Sequence, residues 1–130
     1  MTSQEAQIAC FANAAAHLES GGRFLIETQI PPIQQIPFGE SKRAFDCSSN
    51  HWGIDEFDIT TQKYTSNHIW IEDGVQSQLS IPFRYTWPSE LDLMARMVGF
   101  ELEHRWGDWK QAPFTKSSRS HVSVWRKPIK

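Results

Sequence analysis

The stretch from Phe11 to Thr28 constrains the fold more than any other part of the chain. Ile8, Phe11, Ala15 and Leu18 recur at helical spacing, with His17 and Glu19 near the last turn. A Thr2-x-x-Glu5 capping box predicts a helix beginning near Ser3. Gly21-Gly22 follows, and Gly21 is suited to the left-handed conformation that closes a helix. The chain then enters Arg23-Phe-Leu-Ile-Glu-Thr28, whose consecutive apolar residues Phe24, Leu25 and Ile26 suit a strand covered on both faces. A helix handed over to a buried strand is half of an α/β unit. Such a pair usually follows several earlier βα units, so the sequence reads as the second half of a larger fold.

Beyond Thr28 the texture changes. Prolines from Pro31 to Pro37 exclude regular structure, and residues 39–50 are polar and mixed, which predicts a long loop that covers a cleft. Three strands are then expected, at Ile54–Ile59, Tyr64–Ile71 and Val75–Phe83, in an insert sheet spanning about residues 51–85. Asp73-Gly74 joins the last two as a hairpin signal. Val75, Leu79, Ile81 and Phe83 alternate with Gln76, Gln78 and Ser80, the pattern of an antiparallel sheet with one wet face. Pro88 opens a second helix in the first turn, where its missing N–H costs nothing. Leu91, Met94 and Val98 form its stripe, widened by Leu93 and Met97, and Gly99 ends it. Strands at Phe100–Trp106 and His121–Arg126 finish the chain as an antiparallel pair, the second with Val122 and Val124 inward.

Length and charge bound the function. A chain of 130 residues is one domain by size, residues 1–130. A net charge of -2 excludes a strongly basic nucleic-acid binder. No apolar run reaches the ~18 residues of a membrane span, and the N-terminus shows no secretory signal, so a cytoplasmic protein is expected. Cys10 and Cys47 lack metal or redox spacing and are expected as free thiols. The five histidines show no zinc-binding spacing, and no metal is expected. Six tryptophans and eight phenylalanines are a heavy aromatic load, enough to build a core and still line a cleft or an interface.

Several strings resemble the C-terminal half of a class I S-adenosylmethionine-dependent methyltransferase. They are Phe11-Ala-Asn-Ala-Ala-Ala-His-Leu-Glu-Ser-Gly-Gly-Arg-Phe-Leu-Ile-Glu27, Phe83-Arg-Tyr-Thr-Trp-Pro-Ser-Glu-Leu-Asp-Leu-Met-Ala-Arg-Met-Val-Gly-Phe100 and His121-Val-Ser-Val-Trp-Arg-Lys127. The resemblance implies an α/β fold: a partial Rossmann-like sheet of strands five to seven, an antiparallel β insertion on the substrate side, and two main helices. Strand seven would run antiparallel between five and six. It also implies S-adenosylmethionine as the cofactor and a small molecule as the methyl acceptor. The family's acidic residue and spaced glycines after the first strand have no counterpart here. Cofactor binding is therefore assigned to no residue, and this chain alone is not expected to catalyse transfer.

Methyl transfer asks a protein mainly to position the acceptor and exclude water. The candidate substrate-binding residues are Glu27, at the end of the buried strand, and His51, in the loop that follows. Arg84, Tyr85 and Trp87, where the insert rejoins the main fold, complete the set. They are weighed against a role in tying the sheet to the second helix. The alternative function is a non-catalytic remnant serving as a dimerisation or interaction module. Both readings leave strand 23–28 without one neighbour, so a homodimer or a partner chain along that edge is expected.

Overall fold

The computed structural model describes residues 1–129. Its elements in order are α1 (Gln4–His17), β1 (Arg23–Gln29), a short 3-10 turn (Pro32–Gln35), β2 (Lys42–Cys47), β3 (His51–Asp58), β4 (Lys63–Glu72), β5 (Val75–Arg84), α2 (Pro88–Met97), β6 (Glu101–Trp106) and β7 (Ser120–Arg126). The chain divides into two compact units. One centres on residues 33–85, and the other joins residues 3–32 to those from Thr86 onward.

The discontinuous unit holds a three-stranded sheet in the order β1-β7-β6. Arg23 pairs with Arg126 and Gln29 with Ser120, while Glu101 also meets Arg126, so β7 runs antiparallel to both flanking strands. The apolar residues at 24–26 thus share one sheet with β6 and with Val122–Trp125, as expected. His121 to Trp125 are all buried, because β7 is central and covered on both faces. Burial on β1 alternates instead, and Leu25 is 46% exposed. The expectation that β1 is covered on both faces is corrected: only Phe24 and Ile26 pack against the helices.

Those helices and β7 enclose a core of Phe11, Leu91, Met94, Ala95, Phe100 and Trp125. Phe11 meets Phe24 and Trp125 edge-to-face, with ring centroids 5.2 and 5.4 Å apart. Such pairs contribute about 0.5–1.5 kcal/mol each beyond the area they bury. The stripe on α2 is narrower than expected, since Leu93 and Met97 are 58% and 67% exposed and Ala95 takes the inward place. Beside this core, Arg105 makes a bidentate pair with Asp92 at 3.0 and 2.7 Å, and Asp92 also accepts from Trp125 Nε1 at 3.1 Å. The two side chains are only 14% and 22% exposed. Removing one partner of a pair so enclosed costs about 3–5 kcal/mol, because the other charge is left without compensation.

Two caps differ from the expectation. Ser3, not Thr2, caps α1: its Oγ accepts from Ala6 N at 3.1 Å. The helix ends at His17, before the glycines, and Lys127 Nζ donates to Ala15 O and Leu18 O at 2.7 and 2.8 Å. A cation on the last carbonyls suits the negative end of the helix dipole. Gly21 does take a left-handed φ of +85°, but in the turn after the helix, where its N–H reaches Lys127 O at 2.7 Å.

The other unit is a four-stranded antiparallel meander, β2-β3-β4-β5. Three strands and a preceding loop were expected; β2 falls inside that loop. Its sequence Lys-Arg-Ala-Phe-Asp-Cys carries no alternation because it contains a bulge between Ala44 and Asp46. The Asp73-Gly74 turn joins β4 to β5 with φ of +50° and +74°, as a two-residue hairpin requires. The predicted half-burial of β5 is not found. Val75, Leu79 and Phe83 are 68%, 49% and 37% exposed, because β5 is the edge strand of this sheet.

Candidate functional site

One face of the meander carries a row of polar and aromatic side chains. His51 on β3 lies opposite Trp70 on β4, and Gly53 lies opposite His68, so strand alternation puts all of these on one side. Ser66, two residues from His68, shares that side. Asp46 joins them through the bulge. Ala44 pairs with Ile54, but Asp46 pairs with Gly53, one step out of phase. Without the extra residue Asp46 would face away from the histidines.

A continuous hydrogen-bonded chain results. Asp46 Oδ2 lies 2.5 Å from His51 Nδ1, and His51 Nε2 lies 3.0 Å from His68 Nδ1. His68 Nε2 lies 3.1 Å from Ser66 Oγ. The His51 and His68 rings stack at 5.2 Å, and His68 stacks on Trp70 at 5.5 Å. Phe45, the residue at the bulge, packs edge-on against His68 at 5.3 Å. Its ring lies over Gly53, where a Cβ would come within 2.2 Å of it. The row runs from open to closed: the Asp46 side chain is 42% exposed, while Ser66 is 7% exposed.

Asp55 continues this face, directly opposite Ser66 in register. Its Oδ1 is buried and has no hydrogen-bond partner. Beyond it Phe57, Tyr64 and Phe83 stack at 5.0 and 5.1 Å. Burial, and then the Asp55 charge, push the Tyr64 phenol above its ordinary value. Among the described residues no cluster of His, Cys, Asp and Glu side chains is arranged to hold a metal. His51 and His68 point their nitrogens at each other rather than at a common centre. Cys10 and Cys47 are both free thiols.

The five residues singled out from the sequence fall as follows. His51 opens β3 rather than lying in a loop, a correction that follows from the pairing with β2 and β4. Arg84 and Tyr85 lie at the far end of the same sheet, where Arg84 faces Lys63 across β4. Seven residues of strand, roughly 23 Å, separate that row from His51. Tyr85 is buried in the aromatic cluster, 6.1 Å from Phe57, and exchanges two hydrogen bonds with Gln62. Glu27, on β1 in the other unit, accepts from Trp109 Nε1. Trp87 caps α2 through its carbonyl, which accepts from Glu90 N and Leu91 N at 3.0 and 3.1 Å. Its side chain lines an open groove of ≈ 390 Å³ with Ile30, Pro88, Phe114, Thr115, Lys116 and Ser118.

Sequence reasoning missed His68, Ser66 and Asp46. Ser66 and His68 stand two apart on an expected strand, which signals a shared face. Asp46 gave no such signal, because its side depends on the bulge.

No family model matches the chain, and none of the curated proteins does either. Solved structures do match. The CcbJ methyltransferase from Streptomyces caelestis aligns over 98% of this chain at 32% identity, with a TM-score of 0.84. An S-adenosylmethionine-dependent methyltransferase from Clostridium acetobutylicum aligns over 94% at 9% identity, with a TM-score of 0.69. The alignments cover 55% and 51% of those two chains, so this chain spans about half the length of each. The chain has the fold of about half of a class I S-adenosylmethionine-dependent methyltransferase.

Gly21-Gly22 is the one glycine pair in the chain and the place where a cofactor cradle would lie. Gly22 sits against its own preceding turn, where a Cβ would lie 2.9 Å from Glu19 O and 3.1 Å from Leu18 Cδ2. Gly21 N and Gly22 O are both bonded to the Lys127 backbone. This glycine pair serves β7 and does not fit S-adenosylmethionine.

Proposed function

We propose that the chain is the C-terminal portion of an S-adenosylmethionine-dependent methyltransferase that acts on a small molecule. The observation that carries this reading is the match to the CcbJ methyltransferase along almost the whole chain. The strand order supports it: β1, β6 and β7 correspond to strands five, six and seven, with the last antiparallel between the other two. The meander β2–β5 corresponds to the substrate-side insertion. On this reading His51 in the meander, and separately Glu27 and Trp87 in the other unit, are candidates for substrate contact, whereas Tyr85 is buried and Arg84 lies at the far end of the sheet from His51. The aromatic surfaces around His51 and Trp87 support that role, since such rings give a small molecule flat contact at low entropic cost. The cofactor supplies the methyl group when bound, and its binding is assigned to none of these residues. What the chain contributes is orientation of the acceptor and exclusion of water.

One observation favours a second reading, a non-catalytic interaction module. β1 is an edge strand, paired only with β7. We propose that its open edge pairs with a strand of a second copy or of a partner chain. Calorimetric titration of the chain with S-adenosylmethionine separates the two readings. Saturable binding in the micromolar range would bring cofactor contacts into this chain and support the enzymatic one. Heat of dilution alone at millimolar cofactor selects the interaction module.

A further inference from the structure

We propose that Asp46, His51, His68 and Ser66 form a proton relay that takes the proton of a ligand O–H or N–H at Ser66 and delivers it to solvent at Asp46. The direction follows from what each group can do. An ionised carboxylate only accepts, so His51 Nδ1 carries a hydrogen and donates to Asp46 across 2.5 Å. The neutral His51 ring then has a bare Nε2, which requires His68 to donate from Nδ1 across 3.0 Å. His68 Nε2 is bare in turn and accepts the Ser66 hydroxyl across 3.1 Å. Every hydrogen points toward Asp46, and one carboxylate sets the tautomer of two rings. That leaves the Ser66 oxygen with lone pairs and no hydrogen to offer outward.

A second observation indicates what belongs at that end. Asp55 stands opposite Ser66 on the neighbouring strand, with side chains ~5 Å apart at that register. Its buried Oδ1 has no donor. Two acceptors without a donor select a ligand that brings hydrogens, a hydroxyl or an amine, and disfavour one that presents only acceptors. The proton balance closes over four transfers. The ligand hydrogen passes to Ser66 Oγ as the Ser66 hydrogen passes to His68 Nε2. The His68 Nδ1 hydrogen moves to His51 Nε2, and the His51 Nδ1 hydrogen moves to Asp46, whose exposed carboxyl releases it to water. No oxidant or further reactant is needed; Ser66 ends as it began, while both rings end in the Nε2–H tautomer, so the relay runs once until tautomer exchange with water restores Nδ1–H. The relay stands on the geometry of one sheet, so it is independent of the methyl-transfer reading.

Long-range proton–nitrogen correlation spectra of the chain, with histidine side chains nitrogen-labelled, test it at a pH where both rings are neutral. Both rings are expected in the Nδ1–H tautomer. Asp46→Ala, which removes the acceptor, should release His68 as well as His51 from that tautomer, although His68 does not touch residue 46. Ser66→Ala should leave both tautomers in place, because the order is imposed from the carboxylate end. An Nε2–H tautomer on either ring of the unsubstituted chain overturns the relay. So does a His68 ring that ignores Asp46→Ala in a variant whose amide spectrum shows the sheet intact. Failure of the chain to bind S-adenosylmethionine changes none of these readouts.

Discussion

His121 shows how much a single buried ring can control. It is fully buried on β7, with Nδ1 2.7 Å from Ser123 Oγ, while its Nε2 is buried and has no partner. Ser123 Oγ in turn accepts from Arg105 Nε at 2.8 Å. Burial first, and the Arg105 charge second, lower the His121 pKa from 6.5 to about 4. The folded state therefore holds this ring neutral in a range where the unfolded chain takes up a proton. Stability from this group is complete above about pH 6.5 and is lost progressively as the pH falls toward 4. Urea midpoints measured across that window should decline with acidification. A His121→Leu variant should show a flatter profile over the same range. Equal slopes for both proteins would place the acid sensitivity elsewhere.

The bulge on β2 dictates what its strand can present. One extra residue turns Asp46 onto the histidine face and lays Phe45 over Gly53. Glycine is required beneath that ring, as in strands where an aromatic covers a gap in the pleat. A Gly53→Ala change should displace Phe45 from His68 and forfeit an aromatic contact worth about 0.5–1.5 kcal/mol. The measurable sign is loss of the ring-current shift on the His68 protons while β3 stays paired; an unaltered shift would contradict the packing. This bulge also marks where the sequence stops being legible. β4 and β5 could be read because Asp73-Gly74 and the alternation after it act within a few residues. β2 could not, because its register exists only once β3 is beside it. The end of α1 was misplaced for a similar reason. Gly21 signals a helix stop nearby, but the carbonyls are satisfied by Lys127, more than a hundred positions along the chain.

For the whole molecule, β1, β6 and β7 were legible as strands from three apolar segments, but their order β1-β7-β6 was expected only from the resemblance to a methyltransferase. Of the histidine row only His51 was singled out, since Asp46, Ser66 and His68 lie on other strands and join it only through the pairing of the sheet. The heavy aromatic load divides between the Phe11–Trp125 core and the rings of the meander. No helix among the described residues is long and apolar enough to cross a membrane. The open edge of β1 sets a molecular-scale expectation. In light scattering after gel filtration the chain should run at twice its monomer mass. Leu25→Lys, which puts a charge on an exposed edge residue, should return it to monomer. A monomeric parent would exclude self-pairing along this edge.

The clasp between the first helix and Lys127 bears on how the polypeptide comes together during synthesis. Strands β2 to β5 follow one another without interruption and need only their immediate neighbours, so they can assemble while the rest is still being made. Helix α1 and β1 precede that meander, yet their partner strand and the lysine that satisfies the last helical carbonyls follow it. Until those are made, α1 and β1 keep an apolar face uncovered, the interval in which a nascent polypeptide is most open to capture by chaperones.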